Sequence, residues 1–289
     1  MKNILEYILF LSFSFLSRIL GLWLSRRFSF IIAVLFYYLI PIRKKVVIEN
    51  LTAAFPEYSN KQIIKIAFGT YKSFAITLIE TLYLPYIKTE DMKNAVKCNN
   101  IDLLIKKKQE KKAVILLTAH FGNWEYFAAS ISLQLNIPLL LITKPQRNTY
   151  VTEFMNRNRT RWMNDTISPG ISIRQAYKAL NDRQFILIAA DQRGHLEGLR
   201  LNFLGRPSSV YTGPASLAIK TKADVVLSII CRQPDYSYTI NFVNLPMNDL
   251  PEAEDEKVKE VCKKYINYLE DIIRKHPEQW LWMHKRWKY

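Results

Sequence analysis

Between Thr118 and Glu125 the chain reads TAHFGNWE, which sets an imidazole, His120, five positions before a carboxylate, Glu125. A carboxylate that accepts the Nδ1 proton of an imidazole fixes its tautomer and supports the imidazolium formed when Nε2 takes a proton. A histidine held in that way is a general base for a hydroxyl. No Ser or Cys nucleophile stands out beside it, so the hydroxyl could belong to a substrate. The same residues also fit a bland role, a packed histidine followed by a glutamate in the first turn of a helix. The local sequence leaves both readings open.

Other residues of suitable type recur downstream. Arg157, Arg159 and Arg161 (RNRTR) follow one another at i, i+2 and i+4. The first and third share a helical face, and two guanidinium groups on one face could clamp a phosphate or carboxylate. A solvated basic face is the competing reading. Lys144 (TKPQRN) belongs to the same basic stretch. Asp191 and Gln192 (ADQRG) follow an apolar run, so Asp191 falls at a strand end; it holds a site loop, touches an acceptor, or serves the turn alone. The Lys106–Lys112 run reads as a solvated helix end. There is no G-x-S-x-G, G-x-x-x-x-G-K, G-x-G-x-x-G or H-E-x-x-H, and the four histidines lack metal-ligand spacing. Nucleotide cofactors and metals are therefore not indicated. Cys98, Cys231 and Cys262 are too far apart for a metal site and too few for a disulfide framework.

These residues need a scaffold, and the spacing of apolar runs predicts one. AVILL (113–117), IPLLLIT (137–143), FILIAA (185–190), VVLSIIC (225–231) and YTINFV (238–243) alternate with helix-like stretches. Such alternation predicts an α/β fold, a mixed, mostly parallel sheet flanked by helices. The last two runs are close enough to pair as a hairpin across QPDYS. In an open α/β sheet ligands bind beyond the carboxyl ends of strands, where His120 and Asp191 would lie. Ser59 or Asn60 is a helix cap, and a final helix runs from about Pro251 to Lys275.

Residues 1–45 differ in character from the rest. YILFLSFSFLS (7–17) and FSFIIAVLFYYLIPI (28–42) carry no charge, and Arg18, Arg26, Arg27, Arg43, Lys44 and Lys45 punctuate them. They read as membrane-embedded or interfacial helices with basic flanks on the cytoplasmic side, ahead of a domain at 46–289. A cleaved signal peptide and a pair of buried soluble helices are the rival readings. The chain has 41 Lys and Arg against 25 Asp and Glu, a net charge of +16, which implies an acidic partner. With no nucleic-acid module recognisable, an anionic membrane fits better than nucleic acid.

HFGNWE is similar to the His-x4-Asp/Glu motif of the glycerolipid acyltransferases. The chain resembles the lipid A late acyltransferases, the lauroyl and myristoyl branch of the lysophospholipid acyltransferase superfamily. NLTAAFPEYS (50–59), TKPQRN (143–148), RNRTR (157–161), ADQRG (190–194), NFLGRPSSVYTGPASLA (202–218) and PEQWLWMHKRWK (277–288) agree in order. The resemblance implies a glycerolphosphate-acyltransferase-like fold at the inner membrane. It also implies acyl transfer from a thioester on acyl carrier protein to a hydroxyl of a lipid A precursor. His120 would be the base, Glu125 its orienting carboxylate and Arg157 the cation for the oxyanion. Gly122, Asn123, Lys144, Arg159, Arg161, Asp191 and Gln192 would bind substrate. HLEGLRLNFLG (195–205) is more polar than the family's usual segment here, which leaves acyl length and acceptor open. The tryptophans of QWLWMHKRWK suit a headgroup-level surface or a core with a basic tail.

Overall fold

The computed structural model describes residues 2–168 and 172–288. Helix α1 (Lys2–Val34) contains a break at Gly21, whose φ of 71° and ψ of 163° no residue within a helix adopts. Ser25 Oγ consequently reaches the carbonyl of Ser17 at 3.3 Å, a separation that eight residues of continuous helix would open to about 12 Å. A π-turn, Leu35–Leu39, ends the segment. Helices α2 (Lys44–Ala54) and α3 (Asn60–Tyr83) follow, the latter opened by a capping box between Ser59 and Gln62.

The polarity of α1 is inside out. Ser14, Ser17, Ser25 and Ser29 are buried, and Ser14 Oγ donates to the Leu82 carbonyl of α3 at 2.7 Å. Leu5, Ile8, Ile19, Trp23 and Phe30 are exposed. A helix in water shows the reverse arrangement. Asn3–Leu39 is long and apolar enough to cross a membrane by length and composition.

The catalytic-sized remainder runs α4 (Thr89–Ala95), β1 (Val96–Asn99), α5 (Asp102–Gln109), β2 (Val114–Thr118), α6 (Trp124–Leu135), β3 (Leu139–Ile142), α7 (Thr149–Thr160), β4 (Asp165–Ile167), α8 (Ser172–Asn181) and β5 (Phe185–Ala189). Then come the two-stranded β6 (Arg200–Phe203) and β7 (Arg206–Ser209), α9 (Gly213–Thr221), β8 (Asp224–Arg232), β9 (Tyr238–Leu245) and α10 (Glu254–Lys275). Among the described residues the main sheet has seven strands in the order β1-β9-β8-β2-β5-β3-β4. Every pairing is parallel except β8 with β9, the hairpin expected across QPDYS. The mixed, mostly parallel sheet flanked by helices is thus the observed fold.

Strand β2 sits at the centre, and all five of its residues are buried. That is the continuous apolar run a strand needs when helices cover both faces. Of the two readings open for the C-terminal tryptophans, a headgroup-level surface or a core, Trp280 and Trp282 take the core. Trp280 and Trp282 are buried, and Trp280 pairs with Phe121 in an antiparallel bridge. The Leu281 N–H donates to the His120 carbonyl at 3.0 Å and the Gly122 N–H to the Gln279 carbonyl at 3.1 Å. QWLW is a floor beneath the His120 turn. Its indoles are buried because they pack on Phe55 and Phe203 rather than on a lipid surface.

Candidate active site

Sheet register brings the site together. Thr118, the last residue of β2, is paired with Ala189, the last of β5, so His120 and Asp191 lie equally far beyond the edge. Asp191 Oδ1 meets His120 Nδ1 at 2.8 Å. Asp191 Oδ2 accepts the His120 backbone N–H at 3.1 Å and the Trp280 indole N–H at 3.0 Å. With two donors on Oδ2, only Oδ1 faces the ring, and it can only accept. The proton therefore sits on Nδ1 and the Nε2 lone pair is left free.

Electrostatics favour the charged ring. Burial alone depresses the imidazole pKa, but the Asp191 carboxylate more than offsets it, aided by Glu125, so His120 titrates above its ordinary value of 6.5. Burial likewise raises the Asp191 pKa, and the facing His120 with its hydrogen bonds reverses that, leaving Asp191 lowered and ionised. The Trp124 ring lies edge-on to His120, centroids 5.3 Å apart.

Glu125 does not take the part expected of it. It lies in the first turn of α6, and its carboxylate receives Arg159 in a fork, Nε to Oε2 at 2.9 Å and Nη2 to Oε1 at 2.7 Å. Its pull on His120 is through space. The carboxylate that touches the ring comes from β5, because register places Asp191 opposite Nδ1 while the turn after His120 carries Glu125 onto the helix.

The arginines also differ from expectation. Arg157, expected at the oxyanion, is 75% exposed and bonds Glu153 one turn back, whereas the Arg159 side chain is 13% exposed. Arg161 donates to the carbonyls of Leu84 and Pro85, so it does not clamp an anion together with Arg157. The middle arginine points inward because α7 packs its Phe154 face on Phe10 of α1, which turns the opposite i+2 position toward α6. Burial lowers the Arg159 pKa, but Glu125 raises it further, so this guanidinium stays charged.

Gly122 and Asn123 serve the turn rather than face a ligand. Gly122 has φ of 53°, and a Cβ there would meet the Ile230 carbonyl oxygen at 2.5 Å. Asn123 is 0% exposed; its Oδ1 caps α6 by accepting the Glu125 and Tyr126 N–H groups, each at 3.1 Å. Lys144 is exposed just past β3, and Gln192 is half-buried beside Asp191. Sequence reasoning missed Trp280 as a partner of Asp191, and it missed the buried Glu80 of α3, which donors reach from three directions. Trp280 carried a usable signal, an apolar aromatic pair just past a long helix; Glu80 carried none.

Comparisons with known proteins point to one family. A family model described as bacterial lipid A biosynthesis acyltransferase matches residues 2–289. The chain is 23% identical over 249 residues to the lipid A biosynthesis palmitoleoyltransferase of Escherichia coli (strain K12), covering 85% of this chain and 79% of that protein. A lipid A biosynthesis acyltransferase of Shigella flexneri is similar to the same extent. The lipid A biosynthesis lauroyltransferase of Escherichia coli (strain K12) is 23% identical over 251 residues, again 85% of this chain and 79% of the relative. With a histidine held by an aspartate at the edge of an α/β sheet and a family match from end to end, the chain belongs to the bacterial lipid A biosynthesis acyltransferases, and it is an acyltransferase.

Proposed function

We propose that this acyltransferase moves a fatty acyl chain from a thioester on acyl carrier protein to a hydroxyl of a lipid A precursor, at the cytoplasmic face of the inner membrane. The observation that carries the reading is the His120–Asp191 pair, which leaves Nε2 basic at the sheet edge. Among the described residues, the hydrogen bonds of the His120 ring run to Asp191 alone, so the hydroxyl it activates is the substrate's own.

His120 Nε2 removes the acceptor hydroxyl proton as that oxygen attacks the thioester carbonyl carbon. The C=O electron pair moves onto oxygen, and Arg159, anchored by Glu125, is the nearby cation for the oxyanion in place of Arg157. Collapse re-forms the carbonyl, breaks the C–S bond and releases the carrier thiolate, which takes the proton back from the imidazolium. Atoms and charge balance without a cofactor.

The inside-out helix α1 supports membrane attachment, since its exposed face is apolar and its serines turn inward. The unpaired apolar surface and the net charge of +16 favour an anionic bilayer over nucleic acid. A different lipid acceptor is the competing reading, favoured by the exposed His195, Glu197 and Arg200 near the sheet edge. Detergent-solubilised protein is expected to transfer acyl chains from acyl carrier protein to a hydroxyacylated lipid A precursor, and His120→Ala to abolish the transfer. An unchanged rate in that variant contradicts the mechanism. Mass spectrometry of envelope lipids from a deletion strain names the acceptor by the acyl chain that goes missing.

A further inference from the structure

A carboxylate with 0% exposure in the last turn of a helix is costly unless its charge is matched, and Glu80 of α3 is such a group. Its Oε1 receives Arg26 of α1, Nε at 2.8 Å and Nη2 at 2.6 Å. Its Oε2 receives the Asn123 amide Nδ2 at 2.8 Å and the Tyr238 hydroxyl of β9. The opposite end of the Asn123 amide, Oδ1, caps α6 at the backbone N–H of Glu125. The Asn123 amide therefore has one permitted orientation, with its NH2 toward Glu80 and its oxygen toward the helix that bears Glu125.

The same network holds the preceding residue. The Gly122 carbonyl accepts Thr77 Oγ1 of α3 at 2.6 Å, and Arg232 at the end of β8 bonds both Thr77 Oγ1 at 2.7 Å and Ser73 Oγ at 2.8 Å. Arg232 Nη2 also stands 4.0 Å from Glu80. The turn between His120 and Glu125 is thus fixed from beneath by α3, and the charge that lets α3 do so comes from the apolar N-terminal helix.

We propose that Glu80, charge-balanced by Arg26, is the positioning residue of the catalytic turn, which makes α1 a working part of the active site as well as an anchor. The inference rests on the acyl-transfer reading above. Its substrate contacts are indirect: Glu80 acts through Asn123 on the helix that carries Glu125 and, through it, Arg159.

The hydrogen-bond pattern supplies its own rescue experiment, run on the full-length chain in detergent with acyl-loaded carrier protein and a lipid A precursor. Glu80→Gln points its NH2 at a donor in either orientation, the Asn123 amide or the Arg26 guanidinium, and Asn123→Asp sets two buried carboxylates face to face. Each is expected to lower kcat by about 10- to 100-fold with acceptor KM unchanged, because the turn is displaced and the binding surface is not. In the double variant, Glu80→Gln with Asn123→Asp, the introduced amide donates to the introduced carboxylate. That carboxylate still caps α6, so one bond and one charge are restored. The kcat of this double variant is expected within about threefold of wild type. Arg26→Lys, which keeps the charge but loses the fork, is expected to lower kcat alone by about 3- to 10-fold.

A double variant no better than the worse single, or singles at wild-type kcat, overturns the positioning role. A fall confined to KM, or confined to melting temperature, overturns it as well. His120→Ala run alongside separates the two claims. Retained transfer in that variant sinks the acyl-transfer mechanism, whereas abolished transfer with an inert Glu80–Asn123 pair sinks only this inference.

Discussion

Two buried carboxylates flank His120, and they have opposite connections. Glu125 is five residues away in sequence and is locked to Arg159; Asp191 is seventy-one residues away and is locked to the imidazole. Strand register outweighs chain proximity here, since β2 and β5 end level and the residues two beyond each must meet. The general lesson is that a short motif reports the turn it sits on, while the partner across the cleft is chosen by the sheet.

The comparison can be broken by treating the two carboxylates alike. Asp191→Asn is expected to cost most, on the order of 10³- to 10⁴-fold in kcat. The asparagine oxygen keeps the His120 and Trp280 N–H donors, so its NH2 faces Nδ1 and forces the proton onto Nε2. The pH profile sharpens the point. General-base activity needs neutral His120, whose pKa is raised, so the acid limb of kcat/KM should lie above the ordinary histidine range. Removing the Asp191 charge, which favours imidazolium, should move whatever limb survives to lower pH. A limb that does not move means that Asp191 does not set the histidine.

Smaller losses belong to the other pair. Glu125→Gln removes the anchor of Arg159 and is expected to lower kcat by about 100-fold. It should also destabilise the fold by about 3 kcal/mol, because a buried guanidinium is left without its counter-charge. Arg159→Gln should do the same from the other side, and the double variant should lose less than the sum. Arg157→Ala, on an exposed arginine bonded to Glu153, should change kcat by less than about threefold. Loss of activity there comparable to that of Arg159→Gln would restore Arg157 as the oxyanion cation.

Much of the scaffold was legible in the sequence. Strands β2, β3, β5, β8 and β9 announce themselves as apolar runs, and the Ser59–Gln62 capping box is written in the chain. Edge strands β1 and β4 are not, since VKCN and DTI bury only one residue each. The N-terminal hydropathy was visible, but the face turned to the protein, marked by the buried Ser14, Ser17, Ser25 and Ser29, emerges only from the packing of α1. At the site, residue types were readable and pairings were not. The Trp280 and Trp282 indoles beside Lys and Arg fit a lipid surface or a core equally well by composition, and only the Trp280 bridge to Phe121 and the packing of Trp282 on Phe55 decide.

The central claim is that Asp191, not Glu125, holds His120 with Nε2 free. Nitrogen-15 NMR of histidine-labelled protein in detergent, assigned by His120→Ala and titrated with pH, reads it directly. Wild type and Glu125→Gln are predicted to show neutral His120 protonated at Nδ1, with Asp191→Asn switching it to the Nε2–H form and lowering its pKa. An Nε2–H tautomer in the wild type, or a tautomer that switches on Glu125→Gln and not on Asp191→Asn, would contradict the account.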